Sequence, residues 1–448
     1  MAAKCEGVEI DELVDEASKF FFDSARCRIH VTIDNTQHNT TQLSQRPPDI
    51  AGRLHRFPLQ RPPAMATSPP IPVYLFTYNC GRELLTPQAL APHLFAALDP
   101  SSPPPEILAI GLQEVSPISY SFLGGDHLAQ YLDTWSAVPP LAAQAVHKLD
   151  PAFPPEYVEI GRRRIKALRF AGAGFGPAGL ASKGSIAARF TYSSDGEVDI
   201  TIVSTHLAAH EHCCAQRNRD WETLVRGTIF DLPHASASEG SLQNETTPLL
   251  RDPADANPPS RSGIYTPAGH LLVMGDLNYR TAHTAPTPAD YTAAFPHGFE
   301  DLPAFFQRDQ LTVERDAGNT LHGLVEAPIA FPPTYKYSST VKTTAGNVGS
   351  DDHDSDVIRQ KSGVPRWNWA PHRWPSWCDR ILWLPAVAGG KGGGGSAVIV
   401  HRYTSIPGVQ FSDHRPVALH ASLYGVEAGD DSAAAATAAD VRGMQSGR

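Results

Sequence analysis

The sequence has few cysteines, and they form no recognisable framework. There are 6 in 448 residues, none in a CxxC spacing, and the adjacent Cys213 and Cys214 cannot easily pair with each other. This scarcity argues against a small secreted fold held by disulfides, so we expect reduced thiols. The segment 206–214 mixes histidine with cysteine, but it lacks a second cysteine pair at zinc-site spacing.

The sequence also lacks a long apolar run and an excess of positive charge. No segment approaches the length of a membrane span, and the first 16 residues are acidic, without the basic start and apolar stretch of a secretory signal. The formal net charge of -10 makes nucleic acid an unexpected partner. These features predict a cytoplasmic protein, with a monomer as the default.

Composition divides the chain into an extension, one large domain and a tail. Residues 1–70 are Pro-rich towards their end and predict a partly disordered extension. One hypothesis is that translation starts at Met65, and the other is that residues 1–64 are dispensable. Residues 71–425 form the domain, with low-complexity insertions at about 231–268 and 338–365. Residues 426–448 predict a disordered tail.

Short apolar segments alternate with helical segments through the domain. Nine segments read as strands: 73–79, 107–114, 157–170, 185–192, 198–207, 271–278, 380–384, 397–404 and 416–423. Helices are predicted over 84–98, 126–138 and 210–230. Many strands with helices outside them favour an α/β fold, a two-sheet sandwich flanked by helices.

Polar side chains cluster at the ends of these predicted strands. Six strand ends carry a residue that could bind a metal or transfer a proton: Asn79, Glu114, His206, Asp276 with Asn278, Asp379, and Asp413 with His414. In a strand, residues i and i+2 point the same way, so Asp276 and Asn278 are expected on one face. Any one of these is compatible with a simple turn, but six together indicate a shared site. Carboxylate and amide oxygens suit Mg²⁺, and metal-assisted phosphate ester hydrolysis uses such groups.

Several motifs resemble one family. GDLNYR (275–280), SWCDRIL (376–382) and SDHRPV (412–417) occur in the order found in the endonuclease/exonuclease/phosphatase superfamily. STHLAAH (204–210) with RNRDW (217–221), and FPPTYKY (331–337), resemble its inositol polyphosphate 5-phosphatases more narrowly. The resemblance covers about 73–424. It implies a DNase I-like fold and makes 71–425 the expected catalytic domain.

The resemblance also implies roles for the residues at the strand ends. Glu114 and Asn79 would lie at the metal, with Asp413 near it. Asp276 would orient and activate the attacking water, with Asn278 beside it. Three residues would act on the phosphate: His414 by stabilising the developing charge, Asp379 by orienting His414, and His206 by a further contact.

Five further residues match family positions that contact substrate. Tyr335 and Lys336 match residues that hold the neighbouring 4-phosphate, and Arg373, Lys183 and His210 match other basic positions. The family often has a lysine two residues before the arginine, where this chain has Pro371; Arg366 and His372 are candidate replacements. The simpler interpretation of Lys336 and Arg373 is that they are lone surface charges. The simpler interpretation of the tryptophans of 367–377 is that they pack inside the domain, although they could also contact a membrane surface.

The resulting functional hypothesis is Mg²⁺-dependent removal of the 5-phosphate from phosphoinositides or soluble inositol polyphosphates. The expected partner is a lipid headgroup or a soluble inositol phosphate, with peripheral membrane contact allowed. Two alternatives stay open: a nuclease or phosphodiesterase of the same fold, and an inactive scaffold that binds inositol lipid. The acidic charge and FPPTYKY argue against the first, and the intact set of polar residues argues against the second.

Overall fold

Two five-stranded sheets form the centre of the computed structural model. It describes residues 27–33, 69–150, 153, 164–176, 183–193, 196–231, 261–266, 269–338, 357–359, 365–385 and 398–424. The first sheet has the order β1-β3-β2-β14-β13 and contains Cys27–Ile33 (β1), Ile71–Asn79 (β2), Ile107–Gln113 (β3), Val398–Ser405 (β13) and Val417–Leu423 (β14). The second has the order β12-β9-β6-β5-β4 and contains Ile165–Gly174 (β4), Gly184–Ser193 (β5), Glu197–His206 (β6), His270–Asp276 (β9) and Asp379–Trp383 (β12).

Short elements complete the described structure. Two small ribbons pair Phe230–Asp231 (β7) with Arg261–Ser262 (β8), and Val357–Arg359 (β10) with Pro365–Trp367 (β11). The α-helices are Pro87–Leu94 (α1), Ile118–Leu123 (α2), Gly125–Leu149 (α3), Cys214–Gly227 (α4), Pro288–Ala293 (α5), Leu302–Phe306 (α6) and Gln310–Asp316 (α7). None of the helices in the described part of the chain has the length and apolar character that crossing a bilayer requires.

The burial pattern explains the layers. One face of each sheet packs against the other sheet, as Leu75 and Ala109 do against Ile202 and Met274 in a shared apolar cluster. The outer face of the first sheet packs on α1 and α3, and the outer face of the second packs on α4. Because both faces of the central strands are buried, they read as continuous apolar runs. The predicted α/β two-sheet sandwich flanked by helices is confirmed.

All nine predicted strands are present, with shifted ends. The strand predicted over 157–170 runs from Ile165 to Gly174, and residues 154–163 lie outside the described residues. The strand predicted to include Asn278 ends at Asp276. The extension contributes β1, which pairs antiparallel with β3 and lies before Met65; the sequence predicted no strand there. Most of both insertions and the whole tail lie outside the described residues.

Three of the four tryptophans in or just before the SWCDRIL motif pack inside the domain. Trp369, Trp374 and Trp377 are buried, and their indole N–H groups donate to the backbone oxygens of Pro296, Thr284 and Phe331. This burial favours the packing interpretation for these three. Trp367 is half-buried and packs edge-to-face on the ring of Phe299.

Candidate active site

The strand register brings the polar strand ends to one edge of the sandwich. In the second sheet, β6 and β9 are parallel and pair His206 with Asp276, while antiparallel β12 pairs Asp379 with Asp276. In the first sheet, β2 and β3 are parallel and end at Asn79 and Gln113, and antiparallel β14 begins beside them. Carboxyl ends of parallel strands and amino ends of their antiparallel neighbours therefore meet at this edge.

Gly275 lets the central strands approach closely at the site. A Cβ atom at this position would lie 1.9 Å from the backbone oxygen of Thr205 on β6, and its φ of +148° is rarely adopted by other residues. Any larger residue would push β9 away from β6. The glycine of GDLN therefore holds His206 and Asp276 in register.

The carboxylate of Asp276 is the centre of a buried hydrogen-bond network. Its Oδ2 accepts from Asn79 Nδ2 at 2.9 Å and Asn278 Nδ2 at 3.1 Å, and it lies 3.1 Å from His206 Nε2. Burial raises the pKa of Asp276, but the neighbouring His414, His206 and Lys183 outweigh it and hold that pKa far below its ordinary value. The carboxylate is therefore ionised throughout the physiological range.

Asn278 reaches Asp276 through a turn and not through the strand period. Its φ is +56°, a conformation that asparagine tolerates better than most residues, and its backbone N–H donates to Asp276 Oδ1 at 3.0 Å. Arg280 donates to both the backbone and the side-chain oxygen of Asn278, so the amide nitrogen must face Asp276 and the oxygen of Leu207. GDLN thus forms a turn at the end of β9, and its role in a site stays a prediction.

Glu114 stands beside the central network at a more open position. One of its oxygens lies 2.9 Å from Arg82 Nε, and the other lies 3.8 Å from Lys183 Nζ and 3.9 Å from His206 Nε2. Lys183 also contacts the ring of His206. Burial, with the charge of Lys183, lowers the pKa of His206, so this imidazole is neutral near pH 7.

His414 and Asp379 form a buried pair on the other side of Asp276. Nδ1 of His414 lies 2.9 Å from Asp379 Oδ2, and Nε2 lies 3.9 Å from Asp276 Oδ2. Burial alone lowers the pKa of His414, but the two carboxylates outweigh it and raise it to about 9. Burial raises the pKa of Asp379 only to about 6, so the shared proton rests on His414 at neutral pH.

Ligand atoms of Asp276, Asp379 and His414 lie within 4.8 Å of one another, a spacing compatible with a metal ion. Binding a metal there would require His414 to lose the proton that it holds between Asp379 and Asp276. The oxygens of Glu114 and Asn79 are better suited to a hard cation.

The loop that contains Tyr335 and Lys336 packs directly on this pair. The ring centroids of Tyr335 and His414 are 4.6 Å apart. The guanidinium of Arg280 also contacts Tyr335, at 4.3 Å from its ring centroid. Lys336 contacts the carboxylate of Asp413, so Asp413 lies beside this loop.

Arg373 and His210 lie beyond this loop. Arg373 Nε lies 3.9 Å from Glu211 Oε1, and burial together with the charges of Arg373 and Arg280 lowers the pKa of His210. Among the residues with described side chains, His372 shares this region, whereas the side chain of Arg366 lies outside the described residues.

The structure thus arranges the predicted residues in two groups. The central group surrounds Asp276 and contains Asn79, Glu114, Lys183, His206, Asn278, Asp379 and His414. The outer group lies on the side of Tyr335 and contains Lys336, His210, Arg373 and Asp413. Sequence reasoning missed Arg82, Arg280 and Glu211. Arg280 is the last residue of the quoted motif GDLNYR and Glu211 directly follows STHLAAH, so both could have been suspected, whereas no quoted motif lies next to Arg82.

The family assignment rests on the sequence match. The family model described as Endonuclease/Exonuclease/phosphatase family 2 matches residues 157–420, more than half of the chain. The chain belongs to this family. The recognised resemblance is confirmed at this level, and the two-sheet fold agrees with it.

Several curated proteins that are similar to this chain carry 5-phosphatase names. The type I inositol polyphosphate 5-phosphatase 5 of Arabidopsis thaliana is 30% identical over 266 residues, covering 59% of this chain and 39% of the relative. The type IV inositol polyphosphate 5-phosphatase 6 of the same plant is 28% identical over 260 residues, 57% of this chain and 33% of the relative. The type II inositol 1,4,5-trisphosphate 5-phosphatase of Mus musculus is 28% identical over 238 residues, which cover 53% of this chain and 18% of the relative. The matched part of this chain thus spans well under half the length of these relatives.

A solved structure is similar over nearly the whole chain. It is the inositol polyphosphate 5-phosphatase domain of SPsynaptojanin in complex with inositol (1,4)-bisphosphate and calcium ion. It is 18% identical with a TM-score of 0.48, and the similarity covers 98% of this chain and 97% of that chain.

Proposed function

We propose that this family member hydrolyses the 5-phosphate of inositol phosphates, either as phosphoinositide headgroups or as soluble polyphosphates, with Mg²⁺. The observation that carries the proposal is the loop of Tyr335 and Lys336 packed on the His414–Asp379 pair. It sets a fixed cation and an aromatic ring beside the group that would stabilise phosphoryl charge. A substrate with a second phosphate near the reacting one fits such a site.

The residues around Glu114 fit the proposed metal. Its carboxylate is about a quarter exposed at 24%, so a cation can reach it, and both contacts of its Oε1 are longer than hydrogen bonds. Asn79 adds an amide oxygen at the neighbouring strand end. Glu114 and Asn79 would hold Mg²⁺, and Asp413 is proposed near it. When bound, the ion would neutralise charge on the phosphate oxygens.

The protein groups would divide the remaining tasks. Asp276 is ionised, and since its pKa is so low, it would orient the attacking water more than it would accept its proton. The protonated His414 would stabilise the negative charge that grows on the phosphoryl oxygens, while Asp379 keeps its ring oriented. His206 and Asn278 would hold the phosphate, and Lys183, His210 and Arg373 would contact substrate.

Phosphate release from a substrate panel tests the proposal. The panel is phosphatidylinositol 4,5-bisphosphate, the 3,4,5-trisphosphate lipid, soluble inositol 1,4,5-trisphosphate, and single- and double-stranded DNA, each with Mg²⁺ and with EDTA. We expect metal-dependent phosphate release from the inositol compounds alone. DNA cleavage without phosphate release would favour the nuclease alternative, and no activity on any substrate would favour the inactive scaffold. Cytoplasmic location, peripheral membrane contact and the monomeric state stay predictions.

A further inference from the structure

Gln310 lies between the two loops that leave the site ends of β6 and β9. The first loop, residues 207–211, follows His206, and the second, residues 277–282, follows Asp276. Gln310 is the first residue of α7 and is buried. It is separated from both loops by at least 28 residues along the chain, so its contacts with them come from tertiary packing.

The side-chain amide of Gln310 is hydrogen-bonded to both loops. Its Oε1 accepts from the backbone N–H of Arg280 at 3.0 Å, and its Nε2 donates to the backbone oxygens of Ala282 at 2.8 Å and Glu211 at 3.4 Å. The backbone N–H of Gln310 also donates to the backbone oxygen of Arg280 at 2.9 Å. Because a backbone N–H only donates and a backbone oxygen only accepts, these partners fix which end of the amide faces each of them.

Arg217 on α4 ties the first loop to the same glutamine. Its Nη2 donates to Gln310 Oε1 at 2.6 Å, and its Nη1 donates to the backbone oxygens of Ala208 at 3.0 Å and His210 at 2.7 Å. His210 has a φ of +75°, which is unfavourable for a residue with a side chain and persists only where the surroundings support it. Arg217 supplies that support and connects it to Gln310.

The second loop extends these contacts to the carboxylate at the centre of the site. The side chain of Arg280 donates to the backbone and side-chain oxygens of Asn278. Asn278 Nδ2 in turn donates to Asp276 Oδ2 and to the backbone oxygen of Leu207, both at 3.1 Å. The two loops therefore touch beside the strands and are joined a second time by Gln310. Two points of attachment restrict the rotation of one loop against the other as well as their separation.

A buried ion pair fixes the position of Gln310 itself. The preceding residue, Asp309, accepts at the amino end of α7 from the N–H of Thr312 at 3.0 Å. Its two carboxylate oxygens also lie 3.0 and 3.1 Å from Arg380 Nη1. Arg380 belongs to β12, so the start of α7 is anchored to the second sheet. Gln310 can therefore hold the loops in place instead of following their movements.

We propose that Gln310 is a positioning residue for the proposed 5-phosphatase reaction. It locks loops 207–211 and 277–282 in one relative arrangement, and so sets His210 of the first loop relative to Asn278 of the second. It acts through the two loops and not by touching substrate. This inference rests on the proposed function and extends the site to a residue outside the strand ends.

Gln310→Met tests the inference, because methionine fills a similar volume but lacks the amide. The matched control is the same substitution at Gln307, which is exposed and follows α6. With inositol 1,4,5-trisphosphate and Mg²⁺, we expect Gln310→Met to lower kcat about 100-fold with a smaller change in KM, because misplaced groups around the reacting phosphate act mainly on turnover. Gln307→Met should keep the wild-type kcat and KM.

A double-mutant cycle separates positioning from general structural damage. If Gln310 acts through Arg280 and Asn278, Gln310→Met must lower kcat much less in an Arg280→Lys background than in wild type, because that background already releases Asn278. Two losses that simply multiply would overturn the inference.

Gln310→Glu is the conservative variant. Its carboxylate still accepts from Arg217 and from the N–H of Arg280, but when ionised it cannot donate to the oxygens of Ala282 and Glu211. Its kcat should lie between those of Gln310→Met and wild type. If Gln310→Met does not fold, Gln310→Glu takes its place in every comparison, and a wild-type kcat would then overturn the inference.

Amide hydrogen exchange tests the locking without any substrate. In Gln310→Met, the backbone N–H groups of both loops should exchange about tenfold faster than in wild type, while those of β2 stay unchanged, because only the loops lose hydrogen bonds. Wild-type exchange in both loops, or a wild-type kcat, would overturn the inference while the proposed function stood. If wild type released no phosphate from any substrate of the panel, the proposed function would fail, and exchange in the two loops would still decide whether Gln310 locks them.

Discussion

Replacing Asp276 by alanine should remove both turnover and a large part of the stability. Asp276 is the last residue of β9, and the structure buries it to 1% exposure. It accepts hydrogen bonds from Asn79 and Asn278 and contacts His206. Truncation would leave these donors unpaired and the protonated His414 without one of its two carboxylates.

The expected loss is about 3–5 kcal/mol of unfolding free energy at pH 7, the cost of removing one partner from a buried ionic pair. Because folding lowers the pKa of Asp276 from 3.8, its contribution is present above that pH and is lost as the pH falls further. Wild type and variant should therefore converge in stability at strongly acidic pH. Urea unfolding at a series of pH values measures the difference, and phosphate release measures turnover.

The control is Asp316→Ala. That carboxylate is 69% exposed, so its removal should change neither the unfolding free energy nor the rate of phosphate release. Asp276→Asn keeps the side-chain volume and should lose turnover with a smaller loss of stability. Unfolding of Asp276→Ala at the wild-type urea midpoint would refute the burial argument. Turnover at the wild-type rate would refute the proposed mechanism.

Three other predictions follow from the same contacts. Lys336→Ala should lower kcat/KM more for substrates with a 4-phosphate than for those without it; equal effects would exclude Lys336 from recognition. Arg280→Lys should lower kcat about 10- to 100-fold with KM little changed, because lysine cannot make both hydrogen bonds to Asn278 and each is worth about 1.5–3 kcal/mol; an unchanged kcat contradicts this. Burial lowers the pKa of His270 and of His420 from 6.5 to about 4, so the contribution of these two histidines to stability should be constant above pH 6.5 and fall by about 3 kcal/mol per histidine as pH drops to 4; His420→Gln should show a shallower fall in urea midpoint between pH 6.5 and 4, and an identical profile in that range would be evidence against it.

The strands were predictable because a strand that is buried on both faces consists mainly of apolar residues. Strand β9 is buried at every position from His270 to Asp276, so it appears in the sequence as an apolar run. Its end was less predictable, because the Asx-type contact between Asn278 and Asp276 looks the same in sequence as two further strand residues. Strand β1 was missed because it is separated from the domain by a Pro-rich segment and is recognisable only by its pairing with β3.

The candidate site was predictable in membership but not in arrangement. Polar residues at successive strand ends indicate a common edge, since parallel strands end together. Which of them contact each other depends on the order of the strands in each sheet, and that order arises from pairings between distant segments such as β6 with β9 and β9 with β12.

The apolar strands, the polar residues that end them and the motifs that carry the family resemblance can be recognised in the sequence, because each is a local property of the chain. The proton that His414 holds between Asp379 and Asp276, and the position of Glu211 beside Arg373, depend on contacts that arise only when distant segments pack together. Charge and burial act through space, so the state of each ionisable group depends on neighbours that are distant along the chain, as Arg402 is from Tyr74.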